Sequence, residues 1–158
     1  MKTMQMKLGS IKTTFGAARI AAATVLAMGS TVSPAAAADT TVSAGAGACT
    51  AGGECTVTVR VTAGDGLHVN TEYNHKVTAT GEGVTFLGKA DPKSLFSKDN
   101  GDFQTQGEKV GVITVKFKPA AKGKVKIGGT YKYATCSEGK GGGCTPGSGG
   151  FGVEVTVR

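Results

Sequence analysis

The sequence predicts an all-β domain. Apolar and polar residues alternate with a period of two in several separate segments, no segment after residue 38 carries helical periodicity with caps, and glycine recurs every few residues between the alternating runs. About seven strands in one small domain imply a two-sheet sandwich of the immunoglobulin-like kind.

Residues 1–38 stand apart from that pattern. Lys2, Lys7, Lys12 and Arg19 form a positive leader without acids, followed by the apolar run Ile20-AAATVLAM-Gly29 and the small-residue stretch Ser33-PAAAA-Asp39. This is the pattern of a cleavable signal peptide, with the mature chain beginning near Ala38 or Asp39. The run of about ten apolar residues is half of the roughly twenty that a membrane span needs, so no stable membrane insertion is expected. The product is expected in the periplasm or secreted, where disulfides form and persist.

Residues 39–158 are then one domain. Val57, Val59 and Val61 alternate with Thr56, Thr58 and Arg60, which is a strand with one wet face. Short strands are expected at His75-KVTAT-Gly81 and Gly83-VTFL-Gly88. Asp91-PKSLFSKDNGDFQTQ-Gly107 is the least regular stretch and reads as a long loop carrying one short edge strand. Between Val110 and Phe117 the apolar set changes parity, from Val110 and Val112 to Ile113, Val115 and Phe117, which predicts either a bulge or burial of both faces. Val125, Ile127, Tyr131 and Tyr133 define a strand whose apolar face carries both tyrosines, and Val153, Val155 and Val157 define the last one.

Charge and composition exclude several functions. Without the four basic residues of the leader, 14 Lys and Arg face 11 Asp and Glu, a net of +3 against +7 for the whole chain, too mild to argue for nucleic acid. All four Met lie in the leader, so no thioether copper site is expected. The sequence offers no phosphate loop and no recognisable Ser-His-Asp context, and no cofactor is expected. Asp99-NG-Asp102 lacks the further carboxylates and closing Glu of a calcium loop and reads as a turn. The basic run from Lys116 to Lys126 reads as a solvated face that protects a strand edge.

The chemistry-bearing residues are four cysteines in two local pairs, Cys49-TAGGE-Cys55 and Cys136-SEGKGGG-Cys144. The first flanks a Gly-Gly turn before a strand; the second brackets the Gly-rich connection between two consecutive antiparallel strands, a hairpin tip. Four cysteines allow three pairings, and the sequence leaves the choice open. Closing the nine residues from Cys136 to Cys144 stabilises by roughly 2.5 kcal/mol, whereas a Cys55 to Cys136 link would give about 4.5. Stability alone therefore favours the longer link. A local disulfide on an exposed hairpin is also one that a thiolate can reach in line, and Lys140 would favour a thiolate there while Glu138 opposes it. Zinc is disfavoured, because the spacings are not Cys-x-x-Cys and only His68 and His75 could supplement them. His68, Asn70 and Tyr73 form the most distinctive polar stretch; they line a groove beside the hairpin, or they pack and satisfy backbone groups at a turn.

Gly64-DGLHVNTEYNHKV-Thr78, Val84-TFLGKADP-Lys93, a Lys-rich strand and the terminal strand-Cys-loop-Cys-strand ending in Val153-EVTV-Arg158 together resemble the N-terminal domain of the DsbD thiol-disulfide interchange protein. The likeness spans nearly all of residues 39–158. It implies an immunoglobulin-like fold and a redox pair, Cys136 and Cys144, that takes electrons from a thioredoxin-like partner and passes them to other periplasmic thiol proteins. It also implies that Cys144 forms the mixed disulfide. The hairpin differs from the family in its longer, seven-residue loop and in Thr145-Pro146, where the family has an aromatic-Pro step; Asn74 stands where the family has Pro. Cys49 and Cys55 have no counterpart and read as a structural disulfide. The other reading of the chain is a non-catalytic exported binding or structural sandwich with two structural disulfides.

Overall fold

A computed structural model describes residues 39–88, 95–139 and 141–158. The expected signal peptide lies outside the described residues, as does Lys140. The described residues form ten strands: β1 (Thr41–Ala46), β2 (Cys55–Thr62), β3 (Leu67–Val69), β4 (Lys76–Gly81), β5 (Val84–Phe86), β6 (Leu95–Ser97), β7 (Phe103–Gln106), β8 (Val110–Pro119), β9 (Gly123–Ser137) and β10 (Cys144–Val157). A single 3-10 turn at Lys98–Asn100 interrupts them.

The strands form two five-stranded antiparallel sheets, the all-β sandwich that the alternation predicts. One runs β1-β2-β8-β5 with β7 also on β8; the other runs β10-β9-β4-β6 with β3 also on β9. Ten strands replace the expected seven or so because β1 and β3 were not legible and the irregular 91–107 stretch supplies two short strands, β6 and β7, one to each sheet. β4 and β5, adjacent in sequence, do not pair: the Glu82-Gly83 turn carries the chain from one sheet to the other.

The core is what alternation forces inward. Val57, Val59 and Val61 of β2, Ile113, Val115 and Phe117 of β8, Val77 of β4, Phe96 of β6, Ile127 and Tyr131 of β9 and Val155 of β10 are all buried. The parity change in β8 is burial of both faces, not a bulge. Its register against β2 runs residue for residue from Cys55–Phe117 to Thr62–Val110. Val112 is buried on the outer face between its register partners Arg60 and Gln104, and Arg60 hydrogen-bonds Gln106 across it.

β9 and β10 form the longest ladder, fourteen residue pairs from Val157–Gly123 to Cys144–Cys136. Glycines in β10 make room for neighbours: a Cβ on Gly147 would stand 2.7 Å from the Tyr133 ring, and one on Gly149 would stand 2.6 Å from Val42 of β1. β10 thus packs against Tyr133 and β1, and the tip of the hairpin that carries the second cysteine pair lies at the Cys136–Cys144 end of the ladder.

Candidate functional site

Both local cysteine pairs are disulfides, Cys49–Cys55 and Cys136–Cys144. Their surroundings differ. Cys49 and Cys55 are 5% and 1% exposed and belong to the core cluster. Cys55 starts β2, Cys49 forms a parallel bridge to Val157, and the intervening turn is tied by Ala51 N–H to the Arg158 carbonyl and Gly52 N–H to the Pro119 carbonyl. This bond pins the end of β2 to the ends of β8 and β10, where a solvent thiol has no approach.

The second pair closes the end of the β9–β10 ladder. Cys136 and Cys144 are directly opposed in register, with Cα atoms 3.9 Å apart. Cys136 is buried, 7% exposed, whereas Cys144 is exposed. The tip beyond them is held by a local network. Ser137 N–H donates to the Gly143 carbonyl, the Ser137 hydroxyl accepts from Gly143 N–H, and Gly139 and Gly141 take the left-handed backbone that the turn requires. Glu138 N–H donates to the Gly66 carbonyl, and the Glu138 carboxylate pairs with Lys109 at 3.0 Å, fixing the tip to the turn before β3 and the turn before β8.

β3 supplies the other neighbour of the pair. Its register on β9 is Leu67–Ser137, His68–Cys136 and Val69–Thr135. Val69 is buried in the core and Leu67 packs against it, so the alternation turns His68 to the outer face of the sheet. Directly opposed residues of an antiparallel pair share a face with their Cβ atoms about 4.5–5.5 Å apart. His68, Cys136 and Cys144 therefore form one row across β3, β9 and β10, and Cys136 is enclosed by its partners on either side.

Asn70 and Tyr73 sit elsewhere. Asn70 follows β3, where its N–H donates to the Ala134 carbonyl and its side-chain oxygen accepts from Glu72 N–H, a local turn. Tyr73 packs edge-on against His75, with ring centroids 5.6 Å apart. Of the three residues of the polar stretch, His68 alone is in register with the disulfide; Asn70 and Tyr73 shape the turn behind it.

His75, considered from the sequence only as a weak zinc supplement, has a structural role instead. It is fully buried between the sheets, stacked on Phe103 with ring centroids 4.3 Å apart. Its Nε2 lies 2.9 Å from the Asn70 carbonyl and its Nδ1 lies 3.3 Å from the Tyr131 hydroxyl. A carbonyl only accepts, so Nε2 carries the proton and Nδ1 accepts from Tyr131. Burial lowers the pKa of His75 below its ordinary value, opposed by the Asn70 carbonyl and reinforced by Lys98, and burial raises that of Tyr131 so that it stays a donor. Through Asn70, this network holds the loop that follows β3.

Among the described residues no group of three His, Cys, Asp or Glu is placed to hold a metal ion. In the Asp99–Asp102 segment Asp102 accepts from Ser97 N–H and Asp99 from Asn74, as a turn requires. An open groove lined by Thr80, Glu82, Lys124, Lys126 and Glu154 lies at the opposite end of β9, roughly 30 Å from Cys136 along the strand. No helix among the described residues is long and apolar enough to cross a membrane. No protein-family model matches the sequence, and no curated protein matches it.

Proposed function

We propose that this chain is a thiol-disulfide carrier of the periplasm or another exported compartment, working through Cys136 and Cys144. The observation that carries the reading is the unequal exposure of two directly opposed cysteines at a hairpin tip, in contrast to a second disulfide buried at the other end of β10. Exchange needs one sulfur within reach of an incoming thiolate and a second that leaves and later returns. Cys144 suits the first role and Cys136 the second, the same assignment that the resemblance to the DsbD N-terminal domain implies.

In the reaction, a partner thiolate attacks the Cys144 sulfur, and the electron pair of the Cys136–Cys144 bond passes to Cys136 as a thiolate. A second partner thiol then attacks its own sulfur in the mixed disulfide, leaving an oxidised partner and two thiols on this chain. Run in reverse, those thiols reduce a client disulfide. Thioredoxin-like proteins and other exported thiol proteins are the partners this chemistry fits. The core pair is expected to stay oxidised throughout, because Cys49 and Cys55 are buried in the core cluster, away from an incoming thiolate.

Equilibration in graded thiol buffers, followed by alkylation and peptide mapping, tests this. The expected result is a Cys136–Cys144 bond that titrates between about −180 and −270 mV, beside a Cys49–Cys55 bond that resists. If both bonds resist reduction below about −300 mV, the carrier reading fails and a binding or structural sandwich remains.

A further inference from the structure

We propose that His68 is the proton partner of the Cys136 sulfur, a role that rests on the carrier reading above. The register places His68 directly opposite Cys136 on β9, on the face that also carries Cys144. His75, the other histidine, has both ring nitrogens committed to Asn70 and Tyr131. His68 is half-buried, and among the described residues its side chain takes part in no hydrogen bond, so the register leaves the imidazole uncommitted on the face of the neighbouring disulfide.

The chemistry needs a proton partner at this position and not at Cys144. When a partner thiolate bonds to the Cys144 sulfur, the departing electron pair collects on Cys136, the more buried sulfur, where solvent stabilises a thiolate poorly. A protonated imidazole beside it stabilises that thiolate and then transfers its proton to sulfur, leaving neutral imidazole and a thiol. In the resolving direction neutral His68 takes the thiol proton, and the Cys136 thiolate attacks the Cys144 sulfur of the mixed disulfide, expelling the partner's thiolate.

The other charges nearby do not supply this function. Glu138, at the end of β9, opposes a thiolate and is paired with Lys109. Lys132 lies four residues from Cys136 on the same face, opposite Lys76 of β4. β10 carries no charge between Cys144 and Val153, and Asp65 and Glu72 flank β3 in its turns.

Two measurements test the role. In Cys144→Ala protein, with Cys49–Cys55 intact and folding checked by circular dichroism, the thiolate absorbance of Cys136 near 240 nm is followed against pH with His68 or Gln at position 68. The expected result is a thiolate that forms at least one pH unit lower with His68, a tenfold change in its ionisation constant. In the second, the intact disulfide is reduced by dithiothreitol from pH 5.5 to 8.5, with rates divided by the reagent's own thiolate fraction. Wild type should exceed His68→Gln about tenfold at the acid end and converge with it at the alkaline end. Superimposable thiolate titrations and parallel rate profiles overturn the role of His68 while leaving the carrier reading intact. A Cys136–Cys144 bond that no exchange-range buffer reduces removes both.

Discussion

Deleting each disulfide in turn tests whether the two bonds support the fold equally, as the proposed carrier role says they do not. By loop closure alone the two are equivalent: the seven-residue loop from Cys49 to Cys55 contributes about 2.4 kcal/mol and the nine-residue loop from Cys136 to Cys144 about 2.6. Burial breaks the tie. Cys49 and Cys55 are both in the core cluster, so replacing both by Ala removes two buried sulfurs worth about 0.8 kcal/mol each and leaves unfilled space costing roughly 1 kcal/mol more. Cys49→Ala/Cys55→Ala should therefore lose about 5 kcal/mol. Cys136→Ala/Cys144→Ala should lose about 3.4, since only Cys136 is buried there. Urea unfolding of the two variants under oxidising conditions reads the difference as a midpoint shift larger by roughly 0.8 M for the core pair, at a slope of about 2 kcal/mol/M. Equal losses, or a larger loss at the hairpin, would refute the argument that burial and not loop length distinguishes the bonds, and with it the division of labour between them.

The His75 network predicts a pH dependence. The folded chain holds this imidazole below its ordinary pKa of 6.5, so the unfolded chain takes up the proton first; the contribution is complete above that value and is lost as pH falls below it. Unfolding free energy measured from pH 7.5 to 4.5 should decline across that window, and His75→Phe should flatten the decline. Tyr131→Phe leaves His75 Nδ1 without its donor and should cost about 1–3 kcal/mol by chemical denaturation, with no change in the rate of Cys136–Cys144 reduction. Gly129→Ala should abolish cooperative unfolding, because the new Cβ would stand 2.0 Å from the Thr78 carbonyl oxygen inside the β4–β9 ladder, whereas Gly152→Ala meets nothing within 4 Å and should leave the midpoint within error of wild type.

What the sequence disclosed depended on whether a residue's role was set by its neighbours along the chain or across it. β2, β8, β9 and the end of β10 were legible because valines, isoleucines and aromatics alternate there over five or more residues. β1 was not: Thr41–Ala46 offers only Val42 and Ala44 to the core, since it is an edge strand with small side chains. β3, β6 and β7 are three or four residues long, too short for a period to register. The start of β10 showed no alternation because Gly147, Gly149, Gly150 and Gly152 interrupt it, yet these glycines sit within a continuous ladder, where Gly147 and Gly149 admit Tyr133 and Val42.

The same distinction divides the candidate site. A cysteine pair eight residues apart across a Gly-rich turn announces a hairpin by local spacing, and the structure places that pair at the end of the longest ladder. That Cys144 is open while Cys136 is covered depends on what lies on the far side of β9, and that strand is β3, some 68 residues earlier in the chain. His68 could be singled out by type but not by position, because its partner is fixed by long-range pairing. A redox role argued from cysteine spacing alone cannot separate this hairpin from a plain staple. What bears on the choice is a short strand that covers one sulfur and leaves the other exposed, with His68 opposite the covered one in register.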